Sequence, residues 1–93
     1  MIRLTRVAKS TDVKLTFTLP PDEPPGDVSV VGTFNEWTPG KHRFVRRANG
    51  TRSISVTVPA GTTVRFRYLG ENGNWFDEPQ ADSIDLDGSV LSV

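Results

Sequence analysis

Apolar and polar residues alternate along Val13-Lys14-Leu15-Thr16-Phe17-Thr18-Leu19. This period of two predicts a β-strand that buries one face and exposes the other. The same alternation returns in Ile54-Ser55-Val56-Thr57-Val58 and in Val64-Arg65-Phe66-Arg67-Tyr68, which are rich in β-branched and aromatic residues. We therefore predict three strands that together supply most of a hydrophobic core.

Shorter strand candidates and turns fill the rest of the chain. Residues 28–31, 43–46 and 89–93 are the further strand candidates, and Asn49-Gly50 predicts a tight hairpin turn. No segment keeps an apolar period of 3.6 residues over three turns, so almost no helix is expected. Several short strands separated by turns favour an antiparallel β-sandwich over a small barrel.

The inward phase of the strands also predicts which side chains form the core. These are Leu15, Phe17, Val30, Phe34, Ile54, Val56, Val64, Phe66 and Tyr68. The chain has 93 residues, a length that suits one core, and we expect a single β-sandwich domain over residues 1–93.

Composition narrows the possible functions. The chain has no cysteine, which excludes disulfides, thiolate metal sites and a cysteine nucleophile. It also shows no apolar run typical of a signal peptide or a membrane span, so we expect a soluble, cytoplasmic protein. The formal net charge is zero, yet every Lys and Arg lies at or before Arg67 and six acidic residues follow it. Such segregation can build a basic surface patch on a neutral protein.

Two tryptophans stand in polar, turn-like surroundings, Trp37 before Thr38-Pro39 and Trp75 after Asn72-Gly73-Asn74. Each could cap one end of the core, but a pair in loops favours exposure. On the neighbouring strand, Arg65 and Arg67 alternate with apolar residues and must point outward if those residues face the core. Arg67 is then a hydrogen-bond donor beside an aromatic platform, or simply a solvated charge.

A family resemblance rests on three elements taken in order. They are Val28-Ser29-Val30-Val31-Gly32-Thr33-Phe34-Asn35-Glu36-Trp37, then Arg65-Phe66-Arg67-Tyr68, then Asn74-Trp75-Phe76-Asp77-Glu78-Pro79. This pattern resembles the glycogen-binding domain of AMP-activated kinase β subunits. It is equally similar to the family 48 carbohydrate-binding modules of isoamylases and branching enzymes.

The resemblance implies an immunoglobulin-like β-sandwich that binds α-1,4-linked glucan without catalysis, needs no cofactor and can accompany a glucan-metabolising enzyme in another chain. Trp37 and Trp75 match the tryptophans that stack on sugar rings in the family. Arg67 matches its basic residue when one residue is inserted in the turn at Gly70-Glu71-Asn72-Gly73. Asn74, beside Trp75 in the matched element, completes the candidate carbohydrate-binding residues.

One position departs from the family pattern. Glycogen-binding relatives supply an asparagine just before the last strand, from a loop that also presents a leucine and a threonine. Here the stretch is Ile84-Asp85-Leu86-Asp87-Gly88-Ser89, with Gly88 or Ser89 at the place of that asparagine. A protein-interaction module that keeps the fold and has lost glucan binding is therefore an alternative.

The sequence contains no complete motif for catalysis or metal binding. Asp82 to Gly88 contains Asp-x-Asp-Gly but lacks the remaining ligands of an EF-hand loop, so no metal site is expected. The carboxylates of the C-terminal part have no deep cleft to share, as a glycoside hydrolase requires. His42 stands without a serine or cysteine motif and is expected in an exposed turn. No catalytic residue is expected.

Single-stranded nucleic-acid binding is the remaining alternative. A small barrel could use Trp37, Trp75 and Phe76 for base stacking and the arginines for phosphate contacts. The net charge of zero argues against it. The expected partner is thus an α-glucan, with neither a membrane nor a nucleic acid.

Overall fold

A computed structural model describes residues 2–21, 25–86 and 88–93. In this part of the chain, helix is limited to two single 3-10 turns, at Thr33–Asn35 and Glu71–Gly73. The strands are β1 (Ile2–Arg6), β2 (Asp12–Leu19), β3 (Ser29–Gly32), β4 (Val45–Arg46), β5 (Arg52–Pro59), β6 (Thr63–Leu69), β7 (Trp75–Phe76), β8 (Ser83–Asp85) and β9 (Gly88–Ser92). No helix of the described residues is long and apolar enough to cross a membrane.

The strands form two antiparallel sheets. The first sheet has the order β1-β2-β5-β4, and the second has the order β3-β6-β9-β8, with β7 paired to β6 beside the end of β9. The two sheets pack face to face as an immunoglobulin-like sandwich, which confirms the predicted fold class.

Strand register places the apolar residues of neighbouring strands on the same face. Leu15 lies opposite Val56 in the first sheet, and Val30 lies opposite Tyr68 in the second. A shift of one residue would move every one of these side chains to the solvent side. The alternation read from the sequence therefore fixes which face of each sheet is buried.

The core lies between the two sheets. Its buried members are Val13, Leu15, Phe17, Leu19, Val28, Val30, Val56, Val58, Val64, Phe66, Tyr68 and Leu91. Seven of the nine predicted core residues are among them, whereas Phe34 and Ile54 are only partly buried and pack against the edge of this cluster. The rings of Phe17 and Phe66, one from each sheet, have centroids 5.0 Å apart.

Several local features differ from the predictions. β1, β7 and β8 were not predicted. Ile2-Arg3-Leu4-Thr5 in β1 does alternate, so that signal was missed, whereas β7 and β8 have only two and three residues and are determined by pairing with β6 and β9. The strand predicted over residues 43–46 is limited to β4, and Arg43 forms only an isolated bridge to Ser29.

The hairpin turn predicted at Asn49-Gly50 does join β4 to β5, but its loop spans residues 47–51. The Gly50 N–H donates to the Arg47 carbonyl at 3.0 Å, and the Arg47 N–H donates to the Thr51 carbonyl at 2.8 Å. Gly50 has a φ of +86° while neither Ala48 nor Asn49 has a positive φ, so this is a wider turn than a two-residue hairpin.

Candidate ligand-binding groove

The outer face of the second sheet carries two arginines on its central strand, β6. Val64, Phe66 and Tyr68 are buried, while the side chains of Arg65 and Arg67 are 44% and 35% exposed. The predicted strand phase is therefore correct, and the pleat alone places both guanidinium groups on the same side of the sheet.

Trp37 is presented by the tight turn that follows β3. After the 3-10 turn Thr33–Asn35, Glu36 and Trp37 adopt left-handed φ angles of +55° and +58°, and the Trp37 N–H donates to the Gly32 carbonyl at 3.0 Å. Left-handed backbone costs a non-glycine residue about 1 kcal/mol or more. This turn holds the indole at the surface, where it is 39% exposed.

Asn35 holds that turn from inside. The residue is 1% exposed; its Oδ1 accepts from the Gly32 N–H, and its Nδ2 donates to the Val30 carbonyl and to Nδ1 of His42, each at 3.0 Å. His42 was expected in an exposed turn, but it is half-buried and its ring packs edge-on against Phe34. Burial, together with the charge of Lys41, lowers the pKa of His42 below its ordinary value of 6.5.

Trp75 enters from the opposite edge of β6. It begins the short strand β7 and lies opposite Leu69, so it belongs to a strand and not to a turn as the sequence suggested. β3 pairs with the other edge of β6, and the two tryptophans therefore flank this strand from its two sides. Trp75 is 46% exposed.

These elements enclose a groove of about 530 Å³ on the outer face of the second sheet. Its walls are Thr33, Trp37, Arg65, Arg67, Trp75 and Leu86. Three of the four candidate residues from the sequence, Trp37, Trp75 and Arg67, thus lie around one groove. Asn74 does not line it; its backbone instead closes the turn before β7 through hydrogen bonds with Gly70 and Glu71.

Both arginines are held by neighbouring groups. Nη2 of Arg67 donates to the Leu86 carbonyl at 2.7 Å, and its Nε lies 3.7 Å from Oδ1 of Asp77 without forming a hydrogen bond. Nη2 of Arg65 lies 3.4 Å from Oδ2 of Asp85. These contacts restrict the guanidinium groups before any ligand arrives, which reduces the entropy lost on binding.

The departure at Gly88 and Ser89 has a structural basis. Gly88 has a φ of +126°, and a Cβ there would lie 2.7 Å from the Phe66 carbonyl oxygen and 3.0 Å from Cγ of Arg67. Ser89 is fully buried; its Oγ accepts from the Glu78 N–H and donates to Oδ1 of Asp77. Neither residue presents a polar group to the groove, and Arg67 occupies the space above Gly88.

The sequence prediction missed three residues of the groove, Thr33, Arg65 and Leu86. The sequence could have indicated Arg65, because it points to the same side of β6 as Arg67. It could also have indicated Leu86, an apolar residue within an acidic stretch, which is 95% exposed. Nothing in the sequence indicated Thr33, because its position depends on the turn after β3.

The described residues contain no group of three or more His, Cys, Asp or Glu side chains able to hold a metal ion. In the stretch from Asp82 to Gly88, considered above as a calcium loop, Ser83–Asp85 form β8, Leu86 lies in a turn and Gly88 begins β9. Asp87, part of that motif, lies outside the described residues.

Comparison with known proteins gives a partial likeness. No model of a known protein family matches the chain. An amylopullulanase of Thermoanaerobacter thermohydrosulfuricus is 30% identical over 94 residues, which cover 87% of this chain and 6% of the relative. An amylopullulanase of Thermoanaerobacterium thermosulfurigenes is 33% identical over 57 residues, covering 59% of this chain and 3% of the relative. The chain therefore spans a small fraction of the length of these relatives and is similar to one segment of each.

Proposed function

We propose that this chain is a non-catalytic module of the family 48 type that binds α-1,4-linked glucan chains in the groove between Trp37 and Trp75. The observation that carries the proposal is the groove itself. Two tryptophans, 39% and 46% exposed, flank an outward guanidinium on one sheet face. Exposed indoles are costly to keep in water, and a flat apolar ligand surface offsets that cost.

The chemistry of the groove suits a sugar chain. A glucose ring has an apolar face of C–H groups, which an indole covers, and a rim of hydroxyls that needs a few fixed donors and acceptors. Arg67 and Arg65 supply the donors, and the hydroxyl of Thr33 supplies both kinds of group. Leu86 adds apolar surface at the edge of the groove.

The absence of catalysis is proposed from the lining of the groove. Glycoside hydrolysis uses two carboxyl groups about 5 to 9.5 Å apart, and no Asp or Glu belongs to the described residues that line this groove. Asp77 and Asp85 adjoin it, but each interacts with an arginine. A shallow, open surface also leaves water in place, which weakens acid and base catalysis.

The relatives support a role beside glucan-active enzymes. Both are named amylopullulanase, a name that denotes an enzyme acting on glucans, and this chain matches only 6% and 3% of their lengths. We therefore extend the proposal to an accessory role, in which the module keeps a glucan-metabolising enzyme close to its polymeric substrate. Linking a binding module to an active site raises the local substrate concentration without new catalytic contacts.

The test is a titration with maltooligosaccharides followed by tryptophan fluorescence. We expect a Kd in the range of about micromolar to millimolar, typical of shallow sites with few contacts. Trp75→Ala should weaken binding by about tenfold, because stacking of a planar ligand on an aromatic ring contributes about 1–3 kcal/mol in comparable systems.

A matched control comes from the other side of the molecule. Leu4 is also a large apolar residue, 47% exposed, but it lies on β1 in the first sheet, and Leu4→Ala should leave the affinity unchanged. Equal loss of affinity in both variants would contradict the proposal, and so would no fluorescence or chemical-shift response to a long maltooligosaccharide. The second result would favour the protein-interaction alternative, in which Leu86 and the tryptophans form an apolar contact surface.

A further inference from the structure

The outer face of the first sheet, on the opposite side of the sandwich from the groove described above, forms a second concave surface of about 470 Å³. Three cations line it: Arg3 from β1, Lys14 from β2 and Arg47 beside β4. We call this surface the basic face. No carboxylate and no aromatic ring belongs to its described lining.

The cations of the basic face lack the partners that the arginines of the groove possess. Arg65 and Arg67 each lie within 4 Å of a carboxylate, whereas no ion pair forms at Arg3, Lys14 or Arg47 within the described part of the chain. Unpaired charges attract an external anion more strongly than charges that are already neutralised. Asp12 follows the same alternation as Lys14 along β2 but does not line the surface.

Hydrogen-bonding side chains fill the space between the cations. Hydroxyl groups of Thr5, Thr16, Thr51 and Ser53 and the amide of Asn49 belong to the lining. Arg47 is oriented in advance, since its Nε donates to Oγ of Ser53 at 2.7 Å. A guanidinium held in this way offers its remaining N–H groups to a phosphate oxygen.

The spacing of the cations fits a chain-like ligand with several charges. Arg3 lies opposite Thr16, and Lys14 is two residues before Thr16, a diagonal relationship that separates the two by roughly 7–8 Å. Arg47 follows β4 at the other edge of the sheet, and its guanidinium reaches back over β5, where Nε donates to Oγ of Ser53. β5 lies two strand spacings from β1, or roughly 10 Å. The three charges are thus distributed over the β1, β2 and β5 strands of the sheet.

From these observations we propose that the basic face binds phosphate ester groups carried by the glucan. The choice of a glucan as the polymer rests on the proposed function, while the preference for phosphate rests on this face alone. Protein partners typically need apolar or aromatic anchors at the centre of an interface, and single-stranded nucleic acids need stacking rings. The described lining of the basic face offers neither, whereas its hydroxyl and amide groups suit sugar hydroxyls.

The experiment compares one amylopectin preparation before and after enzymatic removal of its phosphate. At low ionic strength the unmodified chain should bind the phosphorylated form about tenfold more tightly, and the preference should shrink as salt screens the charges. The triple variant Arg3→Gln, Lys14→Gln, Arg47→Gln should bind both forms alike. The matched triple variant Arg6→Gln, Lys41→Gln, Arg43→Gln removes the same charges elsewhere and should keep the preference.

Backbone amide shifts in the unsubstituted protein supply a readout that does not depend on the folding of any variant. Phosphorylated glucan should shift Thr5, Thr16 and Ser53, and the dephosphorylated form should shift only the groove around Trp75. Equal affinity for the two forms, or a preference that survives in the first triple variant, would overturn the inference. If duplex DNA bound more tightly than phosphorylated glucan and shifted the same residues, the basic face would be a nucleic-acid site, and the inference would be overturned as well. Failure of the dephosphorylated glucan to affect Trp75 would instead count against the proposed function.

Discussion

Nδ2 of Asn35 donates a hydrogen bond to Nδ1 of His42 at 3.0 Å. The direction of this bond is fixed, because Oδ1 of the same amide accepts from the Gly32 N–H and Nδ2 also donates to the Val30 carbonyl. His42 must therefore act as an acceptor on Nδ1, which only the neutral ring can do. The turn that presents Trp37 is thus coupled to the protonation state of one histidine.

Acidification should weaken this turn. The pKa of His42 is lowered in the folded protein from its ordinary value of 6.5, first by burial and then by the charge of Lys41. The unfolded chain consequently takes up the proton first, so the contribution to stability is complete above about pH 6.5 and is lost as the pH falls toward the folded-state pKa. Urea unfolding at a series of pH values between 8 and 5 should show this decline.

A His42→Gln variant supplies the comparison, since the chain contains a single histidine and glutamine does not titrate. The decline between pH 8 and 5 should be absent in this variant, and tryptophan fluorescence of the folded protein should lose its pH dependence over the same range. A decline of the same size in the variant would rule out His42 as its source.

Gly88 should tolerate no side chain. Its φ of +126° and the close approach of the Phe66 carbonyl and of Arg67 mean that Gly88→Ala adds a backbone penalty and a steric clash. We expect the free energy of unfolding to fall by about 2 kcal/mol or more and glucan affinity to fall because Arg67 is displaced.

Gly50→Ala is the matched control. Gly50 also has a positive φ, +86°, but no atom lies within 4 Å of a Cβ placed there. This substitution should therefore cost only the backbone term, about 1 kcal/mol, and leave glucan affinity unchanged. Equal destabilisation in the two variants would mean that the close approach of the Phe66 carbonyl and of Arg67 to Gly88 has no influence.

The fold was predictable where one face of a strand is buried. Alternation along β2, β5 and β6 predicted both the strands and the burial of Phe17 and Phe66, because a register shift would expose the whole set. β8, three residues long, was missed since its pairing with β9 determines it, whereas β1 was missed although Ile2-Arg3-Leu4-Thr5 alternates. Phe34 was predicted in the core, but it follows β3 in a 3-10 turn, where strand alternation no longer applies.

The groove was predictable only in part, because some of its residues are positioned by long-range contacts and not by local sequence pattern. The phase of β6 determines the direction of Arg67, and turn composition favoured exposure of Trp37 and Trp75. Leu86 follows β8 and reaches the groove because β8 pairs with β9 beside β6, a long-range arrangement that local pattern does not contain. Asn74 was assigned to the groove by proximity to Trp75, yet neighbours in an extended segment point in opposite directions.

The buried carboxylate of Glu78 should make the protein sensitive to acid. Its Oε1 accepts from the Tyr68 hydroxyl at 2.9 Å and its Oε2 accepts from the Gln80 N–H at 2.8 Å. Burial alone would raise the pKa of Glu78, but hydrogen bonds to the carboxylate, these two among them, outweigh that effect and lower the pKa below 4.5. This contribution to stability is therefore present above about pH 4.5 and is lost as the pH falls through the folded-state pKa.

Tyr68→Phe tests the same pair at neutral pH. Removal of the hydroxyl leaves Oε1 of a buried carboxylate with one donor fewer, which should lower the free energy of unfolding by about 1–3 kcal/mol. The loss should shrink as the pH falls through the lowered folded-state pKa of Glu78, because the protonated carboxyl depends less on that donor. If the free energy of unfolding fell by the same amount at every pH, the cause would be altered packing of the ring against Phe17 and Phe76, and not the lost hydrogen bond.

Leu86 should contribute to glucan binding without contributing to stability. Its side chain is 95% exposed and lines the groove, so Leu86→Ser removes apolar surface that only a bound ligand covers. Covering part of a leucine side chain contributes about 1 kcal/mol, and the affinity should fall about threefold to tenfold in a maltooligosaccharide titration. The hydrogen bond from Arg67 should persist, because it is made to the Leu86 backbone carbonyl.

Ile84→Ser is the matched control. Ile84 is 52% exposed on β8 but does not line the groove, and its substitution should leave the affinity unchanged. A larger loss of affinity at Ile84 than at Leu86 would move the ligand off the groove and onto the outer edge of β8.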